Sequence, residues 1–288
     1  MTPPAASPPP ESQPSPELEA PWGPLPLRES EVKPLRVGPR ELWFQAREGE
    51  IWIAHDDAVS PEEARSGGPW TRSPDPEPPE GVDWFRWATP GGETDLFLRP
   101  ALPDRTLVLE PERPFRLLTR AEARVYVRVP LWIRVELPLA SADTALLLEE
   151  VPSLAMSDTW WGGFMEGELA YWLPTTARRE MVPALHHPHL AVCPLLLSNR
   201  SGSDLAVEKL ALRAPHLSLF SHQGRLWADE ARVTYQGLEE GSQIDVTGQA
   251  PAEAEGAVRV TPPRKPSQRG FRARTFDRIR ALPGVMGG

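Results

Sequence analysis

The sequence predicts an all-β fold: a β-sandwich, built either as one large sandwich or as two immunoglobulin-like sandwiches in tandem. Three observations predict it. Short apolar runs alternate along the chain, turn residues separate many of them, and helical periodicity is scarce. The clearest run is RVYVRVPLWIRVELPL, Arg124 to Leu139. Val125, Val127, Val129, Leu131, Ile133, Val135 and Leu137 fall on one parity. Arg128, Arg134 and Glu136 fall on the other, so one face should meet a core and the other water. Pro130 supplies no N–H and implies an edge, a bulge, or two strands meeting there.

Taken in order, residues 1–20 are rich in Pro and Ser and read as a disordered tail. Residues 21–150 read as an N-terminal β-sandwich region and 151–260 as a C-terminal one. ELWFQAREGEIWIAHDD reads as a hairpin turning at Arg47 to Glu50. A second Pro-rich stretch, Ser60 to Gly81, should form a long loop. NRSGSD, Asn199 to Asp204, is a turn between two strands. Residues 261–288 form a basic tail. Within it GFRARTFDRIRAL spaces Phe276, Ile279 and Leu282 by three, which suggests a short C-terminal helix. No fixed-period repeat occurs, so propellers and solenoids are not expected.

Bulk composition removes several function classes. The chain has 288 residues and a net charge of −9, which argues against a nucleic-acid binder. The Lys residues are Lys33, Lys209 and Lys265, and every other basic residue is Arg. With 36 prolines, this is the usage of a GC-rich genome, so Arg content alone is no recognition signal. Eleven tryptophans oppose global disorder. The one cysteine, Cys193, excludes an internal disulfide and any zinc site needing two thiolates. The first residues lack a basic and then apolar leader pattern, and no apolar run approaches ~18 residues. The expectation is a soluble cytoplasmic protein. Nucleotide-binding, zinc-protease and serine-hydrolase motifs are missing, and no cofactor is expected.

Three stretches remain as candidate sites. In HHPHLAVC, an extended chain would put His187 and His189 on one face, about 6–7 Å apart at Cα. Such a pair can share a metal ion, but Cys193 lies about 13 Å further along a strand. A third ligand must then come from elsewhere. Cys193 sits among Ala191, Val192, Leu195 and Leu196 and reads as a buried small hydrophobe. In SDTWWGGFMEGE, Trp160 and Trp161 must face opposite ways on a strand, so one can be buried and the other exposed. With Asp158 and Glu166 beside them, an exposed Trp could grip a partner or stack on a sugar. The plain alternative is a core Trp and a Gly turn. In the tail, Thr261 to Arg280 holds seven basic residues against one acid, Asp277. Arg269, Arg272, Arg274, Arg278 and Arg280, with nearby Phe and Ile, could contact an anionic membrane surface or an acidic partner. Docking on the chain's own acidic body is the alternative.

FRLLTRAEARVYVRVPLWIRVELP, EEVPSLAMSDTWWGGFMEGELAYWL and HHPHLAVCPLLLSNRSGSDLAVEKLALRAPHLSLFSHQGRLWADEARVTY follow one another in this chain. In that order they resemble an uncharacterised prokaryotic family, domain of unknown function 432. The resemblance covers about 110–240 and extends toward 21. It implies no established activity and carries no catalytic residue across. Bacterial genes of the family often adjoin mechanosensitive-channel genes, which implies a cytoplasmic accessory to a membrane channel, peripheral to the inner membrane. The leading expectation is a non-enzymatic interaction or accessory module with an unknown protein partner. The alternatives are a carbohydrate- or small-ligand-binding sandwich using exposed Trp and, third, a metal-dependent enzyme on His187 and His189.

Overall fold

A computed structural model describes residues 18, 20–57, 59–60, 73–89, 95–139, 145–162, 165, 167–182, 186–237, 241–266 and 271–273. Almost all of the Pro-rich tail, the loop segment 61–72 and most of the basic C-terminal segment lie outside the described residues. Within them the chain is all-β, as expected. Its helical content is two single 3₁₀ turns, Ala214–His216 and Ala252–Ala254. No helix among the described residues is long and apolar enough to cross a membrane.

One four-stranded sheet holds β1 (Gly23–Leu25), β6 (Leu96–Ala101), β10 (Trp132–Leu137) and β11 (Leu146–Pro152), in that spatial order. A second is a meander of β2 (Val32–Val37), β3 (Arg40–Arg47), β4 (Glu50–His55) and β5 (Phe85–Ala88). The expected hairpin is its β3–β4 pair, with Arg47 opposite Glu50. A third is ordered β12 (Ser157–Trp161), β13 (Glu168–Ala177), β7 (Leu107–Pro111) and β16 (Leu210–Leu212).

The largest sheet is centred on β14 (Leu190–Asn199). Along one side of β14 lies β9 (Glu122–Pro130). Along the other lie first β18 (Arg225–Ala228) and then β19 (Ala231–Gly237). The sheet continues through β17 (Leu219–His222) to β21 (Val258–Thr261), and through β20 (Gly241–Val246) to β22 (Phe271–Ala273). A two-stranded ribbon joins β8 (Phe115–Leu117) to β15 (Leu205–Val207). The start of the stretch expected to be helical, Phe271–Ala273, is therefore strand, and its continuation lies outside the described residues.

The alternation read from Arg124 to Leu139 holds throughout. Val125, Val127, Val129, Leu131, Ile133, Val135 and Leu137 are all buried in one core cluster. Pro130 is where two strands meet. β9 ends there in the β14 sheet, and β10 begins at Trp132 in the β6 sheet. Leu131 bridges the corner: its N–H donates to the His189 carbonyl, and its carbonyl accepts from the Ser153 N–H, both at 2.9 Å. A strand that changes sheets while keeping its parity is how sandwich corners are built. The other parity does not face open water. Arg134 donates to Glu150 at 2.8 Å and Glu136 accepts from Arg99 at 2.8 Å, each pair partly covered.

Both pairings and core cross the boundary expected near 150. β10 pairs with β11, and β7 pairs with both β13 and β16. The main core cluster runs from Trp22 to Val260. β14 is apolar on both faces because it is central, flanked on each edge and covered on each side. Cys193 is fully buried there, and burial pushes its thiol well up, so it is a protonated core side chain.

Next to Cys193, Asp229 is also fully buried, and its Oδ2 accepts the Ser218 N–H at 3.1 Å. Burial pushes its carboxyl up to about 7, against the pull of that hydrogen bond and of Arg259. The folded state therefore keeps this proton to higher pH than the unfolded state does. Its contribution is present at low pH and is lost as pH rises from about 4 to about 7. Asp229→Asn cannot ionise. Between pH 5 and pH 8 its stability should improve relative to the native protein by on the order of 3 kcal/mol. Urea unfolding of both proteins at the two pH values checks this; a pH-independent difference would contradict it.

Candidate functional site

The third sheet presents one of its edges as a hairpin, β12–β13, with β12 outermost. Register places Trp161 opposite Glu168, Trp160 opposite Leu169, and Asp158 opposite Tyr171. The two tryptophans do face opposite ways. Trp161 is 4% exposed and packs with Val108, Ala170 and Ala211 on the sheet's outer face. Trp160 is 54% exposed, and its cross-strand partner Leu169 is 47% exposed. Both lie on the parity of Tyr171 and Leu173, which reach the main core. The core-facing parity of the hairpin thus runs from buried side chains at Tyr171 and Leu173 to half-exposed ones at Leu169 and Trp160. Met165, in the connection, is 86% exposed.

The base of the hairpin is braced by polar contacts. Arg105 donates to Asp158 at 2.9 Å, and its guanidinium lies 5.0 Å from the Tyr171 ring centroid. Tyr171 Oη donates to Asp104 at 2.9 Å. Burial and this acceptor push the Tyr171 phenol up to about 12, so it stays a donor. Asp158 is engaged as an ion-pair acceptor in a structural brace. Glu166, named with it, lies outside the described residues.

The histidines occupy a turn, not an extended stretch. The Leu190 N–H donates to the His187 carbonyl at 3.0 Å. The His187 and His189 ring centroids still lie 5.7 Å apart. His187 is exposed, whereas His189 is buried against Gly38. Burial, then the nearby His187 and Arg128, push His189 down to about 3, so it is neutral. Half-buried His186 meets the Trp227 ring edge-on at 4.9 Å, and burial takes it down to about 4. Among the described residues no three His, Cys, Asp or Glu side chains converge as a metal site.

The basic segment begins docked on the body. Arg264 Nε donates to the Leu102 carbonyl at 2.7 Å, and its Nη1 to Glu150 at 3.1 Å. Burial raises Glu150, but hydrogen bonds from Arg264 and Arg134 outweigh it and hold the carboxyl below the usual range. In β22 the backbone of Arg272 pairs with Gln243 of β20. Arg269, Arg274, Arg278 and Arg280 lie outside the described residues.

Sequence reasoning did not find a groove at the other end of β13, where Arg178 and Arg179 follow the strand. Its one signal in the sequence was that Arg-Arg pair. The arginine and phenylalanine that complete it, Arg113 and Phe115, come from a remote stretch.

These features define the class: an all-β scaffold of linked sheets, with a half-exposed apolar pair on an edge hairpin. The chain belongs to the family described as Protein of unknown function (DUF432), whose model matches residues 21–280. The match extends to both sides of the stretch on which the sequence resemblance rested. Neither the curated proteins nor the solved structures yield a match to the chain.

Proposed function

We propose that the protein is a non-enzymatic interaction module whose contact surface is the β12–β13 hairpin. The observation that carries this reading is the exposed cross-strand pair Trp160–Leu169, with Met165 beyond it. Large apolar side chains that stay about half exposed on a core-facing parity favour a partner that covers them. Trp is also the side chain that contributes most at protein contacts. An edge strand adds backbone groups that a partner strand can pair with. The partner this surface fits is another protein with a complementary apolar face. A cytoplasmic accessory of a membrane channel, held at the inner membrane, is the setting suggested by the family resemblance.

A photo-crosslinking amino acid at position 160, in the native host, tests the reading. One discrete adduct is expected, lost on Leu169→Asp and missing when the probe sits at exposed Glu48. Equal labelling at 160 and 48 would sink it. Trp160 beside Asp158 also supports a sugar-stacking reading, the second choice because Leu169 and Met165 offer a sugar nothing polar. Glycan-induced quenching of tryptophan fluorescence that disappears in Trp160→Phe would reverse that order.

A further inference from the structure

We infer that the groove at the C-terminal end of β13 binds a small organic anion: a carboxylate or phosphate head on a flat apolar body. The groove has a volume of about 380 Å³, which suits a small ligand. It lies at the opposite end of β13 from Trp160 and Leu169, about 30 Å away along an extended strand. It is therefore a separate site from the hairpin contact.

Its chemistry is that of an anion cradle with an apolar wall. Arg113, Arg178 and Arg179 line it against Glu112 and Glu180, an excess of positive charge in a chain that is acidic overall. Pro111, Ala177 and Val182 supply apolar surface. Phe115 is half-buried, with the Arg179 guanidinium 6.0 Å from its ring centroid.

Arg178 is the centre. Its Nε is buried and has no hydrogen-bond partner among the described residues. Its nearest carboxylate, Glu112, is 3.8 Å away and largely exposed. That is too long for a hydrogen bond, and an exposed pair of this kind holds weakly. The Arg178 side chain is 38% exposed, so the groove reaches it, while a buried Nε–H without an acceptor is costly and a ligand oxyanion would satisfy it.

The backbone holds Arg178 in place. Tyr126 N–H donates to its carbonyl at 2.7 Å, and its own N–H donates to the Tyr126 carbonyl at 3.0 Å. The Glu112 N–H donates to the Ala177 carbonyl at 2.9 Å. Three strands, β7, β9 and β13, thus fix the base from which the side chain projects. A preorganised donor loses less entropy on binding.

Calorimetry with phenyl phosphate, inorganic phosphate and phenol on the full chain tests the site. Phenyl phosphate should bind more tightly than either fragment. Arg178→Met should weaken it about tenfold or more, with Arg178→Lys between. Phe115→Ala should weaken phenyl phosphate and leave inorganic phosphate unchanged. Arg113→Gln, at an exposed position, gives a second reading should Arg178→Met fail to fold. Binding of phenol equal to that of phenyl phosphate, or no binding of any probe at about 10 mM, overturns the inference. So does an affinity that neither the Arg178 nor the Arg113 variant changes.

Discussion

Gly38→Ala should destabilise the protein by about 3–5 kcal/mol, although it adds a single methyl group. Two costs add. Gly38 has φ +62°, in the left-handed region, where a Cβ costs roughly 1–2 kcal/mol. The Cβ would also stand 2.3 Å from His189 Cγ and 2.4 Å from its Nδ1. The ring has nowhere to go. His189 is buried, and its carbonyl is held by the Leu131 N–H at 2.9 Å. The preceding Pro188 carbonyl accepts from Trp22 Nε1 at 2.9 Å. Denaturant unfolding measures the loss, and a shift under 1 kcal/mol would refute the packing argument. In a His189→Gly background the same substitution should cost only the backbone strain, about 1–2 kcal/mol.

Arg40→Met should cost about 3–5 kcal/mol and should do so unevenly with pH. Arg40 is buried at the start of β3. Its Nε donates to the Pro152 carbonyl at 3.1 Å, and its Nη1 donates to the Asp56 carbonyl. The Asp56 carboxylate lies 3.7 Å away and accepts the Glu41 N–H at 3.0 Å. One guanidinium thus ties β3 to the end of β4 and the end of β11. Burial weakens both charges: it lowers Arg40 and pushes Asp56 up to about 6, against the attraction of Arg40. Removing the cation leaves Asp56 partly buried without its counter-charge, so its carboxyl rises further. A carboxyl raised in the folded state favours folding at low pH and loses that contribution as pH rises through the folded value. The variant should therefore lose more stability at pH 8 than at pH 5. Arg40→Met with Asp56→Asn should recover part of the loss and all of the extra pH dependence. A deficit equal at both pH values would show that the pair is not coupled.

Much of the local architecture was legible in the residues. The seven apolar side chains from Val125 to Leu137 share a parity, and all are buried. Pro130 signalled a junction, and the chain changes sheets there. Asn199 to Asp204 was read as a turn between two strands, and it joins β14 to β15. The buried Asn199 side chain donates to the Leu117 and Ser203 carbonyls at 2.9 and 2.8 Å. The polar parity of the same run was read as wet, yet it is covered, because Arg99 and Glu150 arrive from other strands. Alternation reports which side chains share a face. It carries no information on what lies over that face.

The candidate sites divide along the same line. Strand geometry alone required that Trp160 and Trp161 point apart, since successive side chains alternate by covalent structure. Which of them would be exposed depended on where the core ends beneath the hairpin, and that is set by sheet order. The His187–His189 pair was placed on an extended chain, but the bond from Leu190 N–H to the His187 carbonyl makes a turn of it. The close approach of Gly38 to His189 and the union of Arg178 with Arg113 and Phe115 left no mark in any local window. Periodicity, turn chemistry and charge are properties of neighbours along the chain, so they were enough to set most strands, the faces of those strands and the burial of Cys193, though not the strand at Phe271–Ala273. Contacts between residues 65 or 151 positions apart form only when strands pair and sheets pack. Strand pairing and sheet packing therefore set which apolar edge stays half exposed and which arginines share a groove.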